Sequence, residues 1–308
     1  MHTATAPTRF TQLHIDIARF STDDFNPFHD QKLWWQIPGT PFSAPLVLGF
    51  QLAAWIEDRL RQHRQQADEA RLIEQHGLRY SNYQFDFVSP VLPGDEVTLE
   101  IKPSTLVTSP TTLLRNRLLL RAGQRTALLG HKRESRQPLV LPEGTPPLPD
   151  PLSAVTDRDH LPGQACFVKR KFTMTGNGKN FLLGAQVDPT HYFNELEDRV
   201  VFPEMFPLAY LSCALLERGL KAGEDFMQRP RLYASQQFSV DRQLMRRVKS
   251  NSVLYMLVCD PLPAASSTGL RGRTAAHCCF PCFGVLEDGA LLYRALMPLV
   301  PLAAIGSG

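Results

Sequence analysis

Apolar and polar positions change period several times along the chain, and the order of those changes predicts its architecture. In APLVLGFQLAAWIEDRLRQ (44–62), Leu46, Phe50, Ala53, Ala54 and Ile56 recur at helical spacing, and polar residues dominate after Glu57. This pattern predicts an amphipathic helix, with Pro45 suited to its first turn. Ahead of it, TQLHIDI reads as a strand followed by a polar turn. Behind it, Tyr83, Phe85 and Phe87 alternate along a strand that runs into the turn Pro93-Gly94-Asp95. TLLRNRLLLRAG and RTALLGHKRES follow as two strands of a hairpin about Gly123. The predicted order is strand, loop, one long helix and several antiparallel strands.

The second half repeats that order. CFVKRKFTMTG is a strand, GAQVDPTHYFNE a turn with Asp188, Pro189 and His191, and FPEMFPLAYLSCALLERGL (202–220) an apolar helix. YASQQFSVDRQLMRRVKSNSVLYMLV holds strands, and a last hairpin turns at Asp288-Gly289. Phe85 after Gln84 is echoed by Phe238 after Gln237. Between the halves, 137–163 is proline-rich and lacks periodicity, as a semi-extended linker does. The expected organisation is a first repeat over 1–136, a linker over 137–163 and a second repeat over 164–308. A long helix wrapped by an antiparallel sheet, built twice, is an α+β double hotdog.

Composition narrows the function without naming it. The chain has 308 residues, 43% of them hydrophobic and 20% charged, and its formal net charge is only +3, so no basic stripe points to nucleic acid. No apolar run is long enough to span a bilayer, and MHTATAPTRF lacks the apolar core of a signal peptide; the expected location is cytoplasmic. All six cysteines lie in the second half, at 166, 213, 259, 278, 279 and 282, and do not read as a disulfide framework. HCCFPC (277–282) has the wrong ligand spacing for zinc. As a strand it sends Cys278 and Cys282 to one side and Cys279 to the other, and no metal is expected.

The chemistry concentrates in STDDFNPFHDQ (21–31), where Asp24, Asn26, Pro27 and His29 stand together. Asp and Asn before proline are ordinary turn residues; the imidazole two positions on is the side chain best suited to proton transfer near neutral pH. The stretch is either a polar turn that carries a histidine or a turn that holds Asp24 and His29 against one substrate. D-x-N-P-x-H, then Gly49 starting a long helix, then Phe87, Pro90, Val91, Pro93, Gly94 and Asp95 as F-x-x-P-V-x-P-G-D, resembles the MaoC-like branch of the hotdog superfamily, which holds the (R)-specific enoyl-CoA hydratases (hydratase 2). The resemblance covers most of 12–135 and, more faintly, 165–300. It departs from the family at Leu48, where a histidine is usual. The eukaryotic two-hotdog hydratases also carry their motif in the second repeat, whereas here it lies in the first.

The resemblance implies reversible hydration of a 2-enoyl thioester, or dehydration of a 3-hydroxyacyl thioester, carried by coenzyme A or an acyl carrier protein and needing no metal or redox cofactor. Asp24 would be the general base, with His29 polarising the same water. Asn26 would hold the turn, and the Gly49 N–H at the helix start would meet the developing oxyanion. Two rivals remain: a hotdog thioesterase, and an acyl- or partner-binding hotdog protein without catalysis. Trp34 and Trp35 either line the acyl pocket or anchor the loop. Arg246, Arg247 and Lys249, in RQLMRRVK (242–249), either bind coenzyme A phosphates or form a solvated loop. TGNGKN (175–180) lacks P-loop spacing and reads as a hairpin turn. In the second repeat, Gln186 falls at the position of Asp24 and Pro207 opposite Gly49. One working site per chain is therefore expected, in a monomer or homodimer.

Overall fold

The computed structural model describes residues 3–140, 146–262 and 278–304. The first repeat contributes strands β1 (Tyr80–Phe87), β2 (Glu96–Ile101), β3 (Leu113–Ala122) and β4 (Arg125–Ser135). The second contributes β5 (Cys166–Thr173), β6 (Ser235–Asp241), β7 (Ser252–Cys259), β8 (Cys278–Leu286) and β9 (Leu291–Pro301). They join one antiparallel sheet in the order β2-β3-β4-β1-β6-β9-β8-β7-β5. Gly123, with positive φ, turns β3 into β4, and the Asp288-Gly289 turn joins β8 to β9, as the turn residues predicted.

The repeats meet at β1 and β6, where Gln84 lies directly opposite Gln237. The two echoing glutamines therefore mark a pseudo-twofold axis. Gln84 also pairs with His131 on β4, and Gln237 with Leu296 on β9, so positions in the two repeats can be matched one by one.

Helices α2 (Gly49–Gln66) and α4 (Met205–Lys221) pack against each other and the sheet, and Trp55, Phe85, Phe206 and Phe238 fill the shared core. Burial of this apolar surface is the main stabilising term. Two expected non-helical segments are helices instead. TQLHIDI opens α1 (Gln12–Thr22), and TGNGKN opens α3 (Thr175–Gly184). Thr11 caps α1: its Oγ1 accepts the His14 N–H, and the His14 ring accepts the Thr11 N–H at 3.0 Å. The caps draw α1 toward helix, and Ile15 and Ala18 then bury against α3, where a Cβ on Gly184 would come within 2.7 Å of the Ala18 nitrogen. The long helix α2 also begins later than expected, at Gly49, with Pro45 in the extended segment before it.

The described part of the proline-rich segment packs Leu152 and Leu161 against Val168, Tyr255 and Phe283 on the outer face of the second repeat. Against the expectation for the cysteines, Cys166 and Cys259 pair across β5 and β7 and are joined by a disulfide.

Candidate active site

The D-F-N-P-F-H turn follows α1. Asp23 ends that helix in the left-handed region, and the Asp24 N–H reaches back to the Arg19 carbonyl at 2.8 Å. Asp24 then accepts the Asn26 N–H at 3.0 Å, and Asn26 accepts the Phe28 N–H at 3.1 Å, capping a single 3-10 turn over Pro27–His29. Asn26 thus holds the turn, as its side-chain chemistry predicted. Asp24 is 5% exposed and His29 6% exposed. Burying a carboxylate and an imidazole on one turn carries a desolvation cost, which the Asn26 N–H and the Leu46 carbonyl partly offset.

The turn is tied to the start of α2. The Leu46 N–H donates to the Phe28 carbonyl at 2.8 Å, and His29 Nδ1 lies 2.8 Å from the Leu46 carbonyl. A carbonyl only accepts, so Nδ1 carries the proton and Nε2 presents its lone pair. Burial lowers the His29 pKa from its ordinary value, and the nearby Asp24 charge only partly opposes this. The imidazole is therefore neutral at neutral pH, a proton acceptor.

Three residues beyond Leu46, Gly49 begins α2. Its N-cap, Leu48, offers no side-chain cap, so the first N–H groups of the helix are left for another acceptor. A Cβ at Gly49 would come 2.9 Å from the Phe87 ring and 3.2 Å from Gln236 Nε2. Glycine is required here by the close approach of these two side chains, one from each repeat. Gln236 is a residue that sequence reasoning missed, because a lone glutamine in a strand carries no signal until the strands are paired.

Beside the turn lies a small cleft, lined by Asn26 and Phe28 on one side and by Tyr233, Leu215, Phe280 and Leu299 from the second repeat. Trp34 and Trp35 are not among its lining residues. Trp35 is 62% exposed, and the loop is anchored instead by Phe28, Ile37 and Leu46. Arg246, Arg247 and Lys249 are also not brought to the dyad. They follow the Asp241 end of β6, whereas Gln236 beside Gly49 is at the other end, about five residues or roughly 16 Å along the strand. Arg247 pairs with Asp288, and Lys249 Nζ points to the Val200 carbonyl at 3.4 Å.

The second repeat has the same turn with other contents. Gln186 takes the left-handed φ of 54° that Asp23 takes, and the Val187 N–H reaches the Leu182 carbonyl as Asp24 reaches Arg19. Val187, not Gln186, therefore stands in the place of Asp24; the turn is one residue shorter, with no counterpart of Phe25. Gln186 Nε2 donates to the Arg9 carbonyl. Met205, not Pro207, opens α4 and matches Gly49. Its N–H and that of Glu204 donate to the two carboxylate oxygens of Glu57, at 2.9 and 2.8 Å. Burial, and then the Glu204 charge, raise the Glu57 pKa to about 8. Glu204 in turn accepts Tyr83 Oη–H at 2.7 Å, Ser81 Oγ–H at 2.7 Å and Lys132 Nζ–H at 3.1 Å.

The cysteines of HCCFPC lie in β8. Cys279 and Cys282 are buried, and burial pushes the Cys279 thiol up to about 11. His277 lies outside the described residues. Among the described residues, no helix is long and apolar enough to cross a membrane.

No family model matches the chain, and no curated protein matches it in sequence. Solved structures do match. A MaoC-like dehydratase is 12% identical, with 97% of each chain covered and a TM-score of 0.56. A MaoC domain protein from Chloroflexus aurantiacus is 11% identical, with 98% of this chain and 95% of that one covered and a TM-score of 0.59. A conserved hypothetical protein from Mycobacterium tuberculosis with a double hotdog fold is 10% identical, with 97% and 96% covered and a TM-score of 0.54. The likeness is one of backbone, and it runs the length of the chain: the fold is the double hotdog of these MaoC-like neighbours.

Proposed function

We propose that the protein adds water reversibly to a 2-enoyl thioester whose acyl group is carried on the phosphopantetheine of coenzyme A or of an acyl carrier protein. The observation that carries this reading is the burial of Asp24 and His29 on one turn that is hydrogen-bonded to the segment leading into Gly49. Hydration needs a group to take a proton from water, a donor for the thioester oxygen and an apolar place for the acyl chain. Asp24 and His29 Nε2 both accept hydrogen bonds, so they can hold one water by its two protons. Its oxygen bonds to C3 as one proton passes to the dyad. The negative charge that moves to the thioester oxygen meets the Gly49 N–H at the positive end of α2. The dyad returns the proton to C2, so that one water is added and nothing else is consumed. The reaction as written balances with substrate and water alone, without a redox or metal cofactor.

The cleft beside Asn26 and Phe28 has Leu215, Phe280 and Leu299 on its apolar side, which an acyl chain could follow, and Arg218, Glu224 and Arg231 on its polar side. Crotonyl-CoA and a crotonyl acyl carrier protein, followed by loss of enoyl absorbance and by a free-thiol assay, test the reading and separate the carriers. Loss of absorbance without thiol release is expected. Thiol release at the rate of substrate loss would make the protein a thioesterase, and binding without turnover would make it an acyl-binding protein.

A further inference from the structure

Gln236 is 0% exposed, and both atoms of its side-chain amide are buried without a hydrogen-bond partner. A buried amide with neither end paired is destabilising, and in a native protein such a group is completed by an ordered water, an ion or a ligand. The amide is aimed at the start of α2, with Nε2 3.2 Å from where a Cβ on Gly49 would be.

The second repeat shows what surrounds this position when a carboxyl group occupies its helix start. Gln84 opposite Gln237 places Gln236 on Tyr83 by the pseudo-twofold. There, the carboxyl group of Glu57 sits on the first N–H groups of α4, and the Tyr83 hydroxyl hydrogen-bonds to the N-cap residue Glu204. In the first repeat the N-cap is Leu48, which offers Gln236 nothing, and Cys213 replaces Glu57. The amide that reaches the same point is left without a protein partner.

We propose that Gln236 binds substrate directly, its Nε2 donating to the thioester oxygen as a second donor beside the Gly49 N–H. The second repeat would then supply a catalytic residue to the first repeat's site, which neither repeat could assemble alone. The proposal rests on the hydration reading and adds a residue to it.

The test uses Gln236→Met, similar in length but without donors, in the full chain. Crotonyl thioester hydration should fall about 100-fold, the size of loss expected for one oxyanion donor. The melting temperature should hold or rise, because an unpaired buried amide is replaced by an apolar group. Inhibition by butyryl-pantetheine should then be compared with inhibition by its thioether S-butyl-pantetheine, which lacks the carbonyl. Wild type should favour the thioester, and the variant should lose that preference while keeping its affinity for the thioether. A variant that keeps the preference or most of its turnover overturns the role of Gln236 and leaves the hydration reading standing. A variant that melts well below wild type shows a structural role and also overturns it. Wild-type protein that neither hydrates a crotonyl thioester nor prefers the thioester inhibitor sinks both.

Discussion

The two helix starts occupy matching places in one sheet, and they are finished in opposite ways. At α4 the first N–H groups are capped by Glu57, and the surrounding positions carry Glu204, Tyr83, Lys132 and Glu134. At α2 the matching positions carry Cys213, Leu48, Gln236, Met297 and Leu299, the last two placed by the pairing of Gln84 with His131 and of Gln237 with Leu296. One helix start is filled by a buried ion network; at the other, the positions that match Glu57, Glu204, Lys132 and Glu134 are uncharged, and Gln236 presents an amide. A helix start is a ready anion site, and a fold that duplicates it must either use it or plug it. Here the first copy is kept for a ligand and the second is closed by a side chain of the first repeat's own helix. The plug also ties α2 to α4, so the degenerate copy contributes to holding the working one in shape. Within it, burial opposes ionisation of Glu134, but Lys132 and Arg64 more than offset this and pull its pKa to about 2.

The largest effect should come from removing the dyad. Asp24→Asn keeps the shape of the turn and removes the base, so hydration should fall by about 10³-fold, within the range for loss of a positioned acid or base. His29→Ala should lose nearly as much. Activity near wild type in either protein, with circular dichroism unchanged, would remove the contrast between Asp24 and Val187 on which the comparison stands.

Next in size is the helix start. Proline is tolerated at the first helical position but has no N–H. Gly49→Pro should therefore lower turnover by about 100-fold. Its ring also crowds Phe87 and Gln236, so Gly49→Ala is the control: it crowds the same atoms but keeps the N–H. Turnover should be at least several-fold lower for proline than for alanine. Equal losses would assign the effect to crowding alone and take the oxyanion role from Gly49.

Emptying the plug tests the other side. Glu57 has a folded pKa of about 8, raised from 4.5. Its stabilising contribution is fully present below its ordinary value and is lost as pH rises through about 8, because the folded state holds the proton that the unfolded state has released. Wild type should lose melting temperature between pH 5 and 9, by a few degrees for each kcal/mol. Glu57→Gln cannot titrate and should flatten that decline, with turnover within a few-fold of wild type. The same slope in both proteins would show that Glu57 is not the titrating group.

Much of this frame was legible in the sequence. Helical spacing in 44–62 and 202–220, the hairpin turns at Gly123 and Asp288-Gly289, and the echo of Gln84-Phe85 in Gln237-Phe238 all survive in the structure. The failures have physical causes. Leu13, Ile15 and Ile17 alternate as in a strand, but Leu13 is 66% exposed, and the buried set Ile15, Ala18 and Thr22 has helical spacing. TGNGKN is rich in glycine and reads as a turn. Phe181 and Leu182 nevertheless bury the segment as a helix, and Gly178 and Gly184 are needed where Phe202 and Ala18 approach. The Glu57 plug and the Gln236 amide depend on residues far apart in the chain, so no local pattern announces them.

The smallest effect is predicted for His191, the residue that most resembles a second catalytic histidine. Its turn copies the first: Asp188 accepts the Thr190 N–H at 2.9 Å as Asn26 accepts that of Phe28. The copy stops there. His29 is buried and fixed by the Leu46 carbonyl, whereas His191 is exposed and stacks edge-on against Tyr192. The place of Asp24 beside it is held by Val187, 2% exposed, which takes no proton. The helix N–H groups that would receive a thioester oxygen are already bonded to Glu57. Base, donor and burial are thus all missing at once, and loss of the imidazole removes nothing that chemistry there would use. His191→Ala should keep turnover within a few-fold of wild type, and titration with an unreactive acyl thioester should give one site per chain. Two equivalent sites, or a folded His191→Ala protein without activity, would mean that the second repeat does the chemistry in spite of its plug.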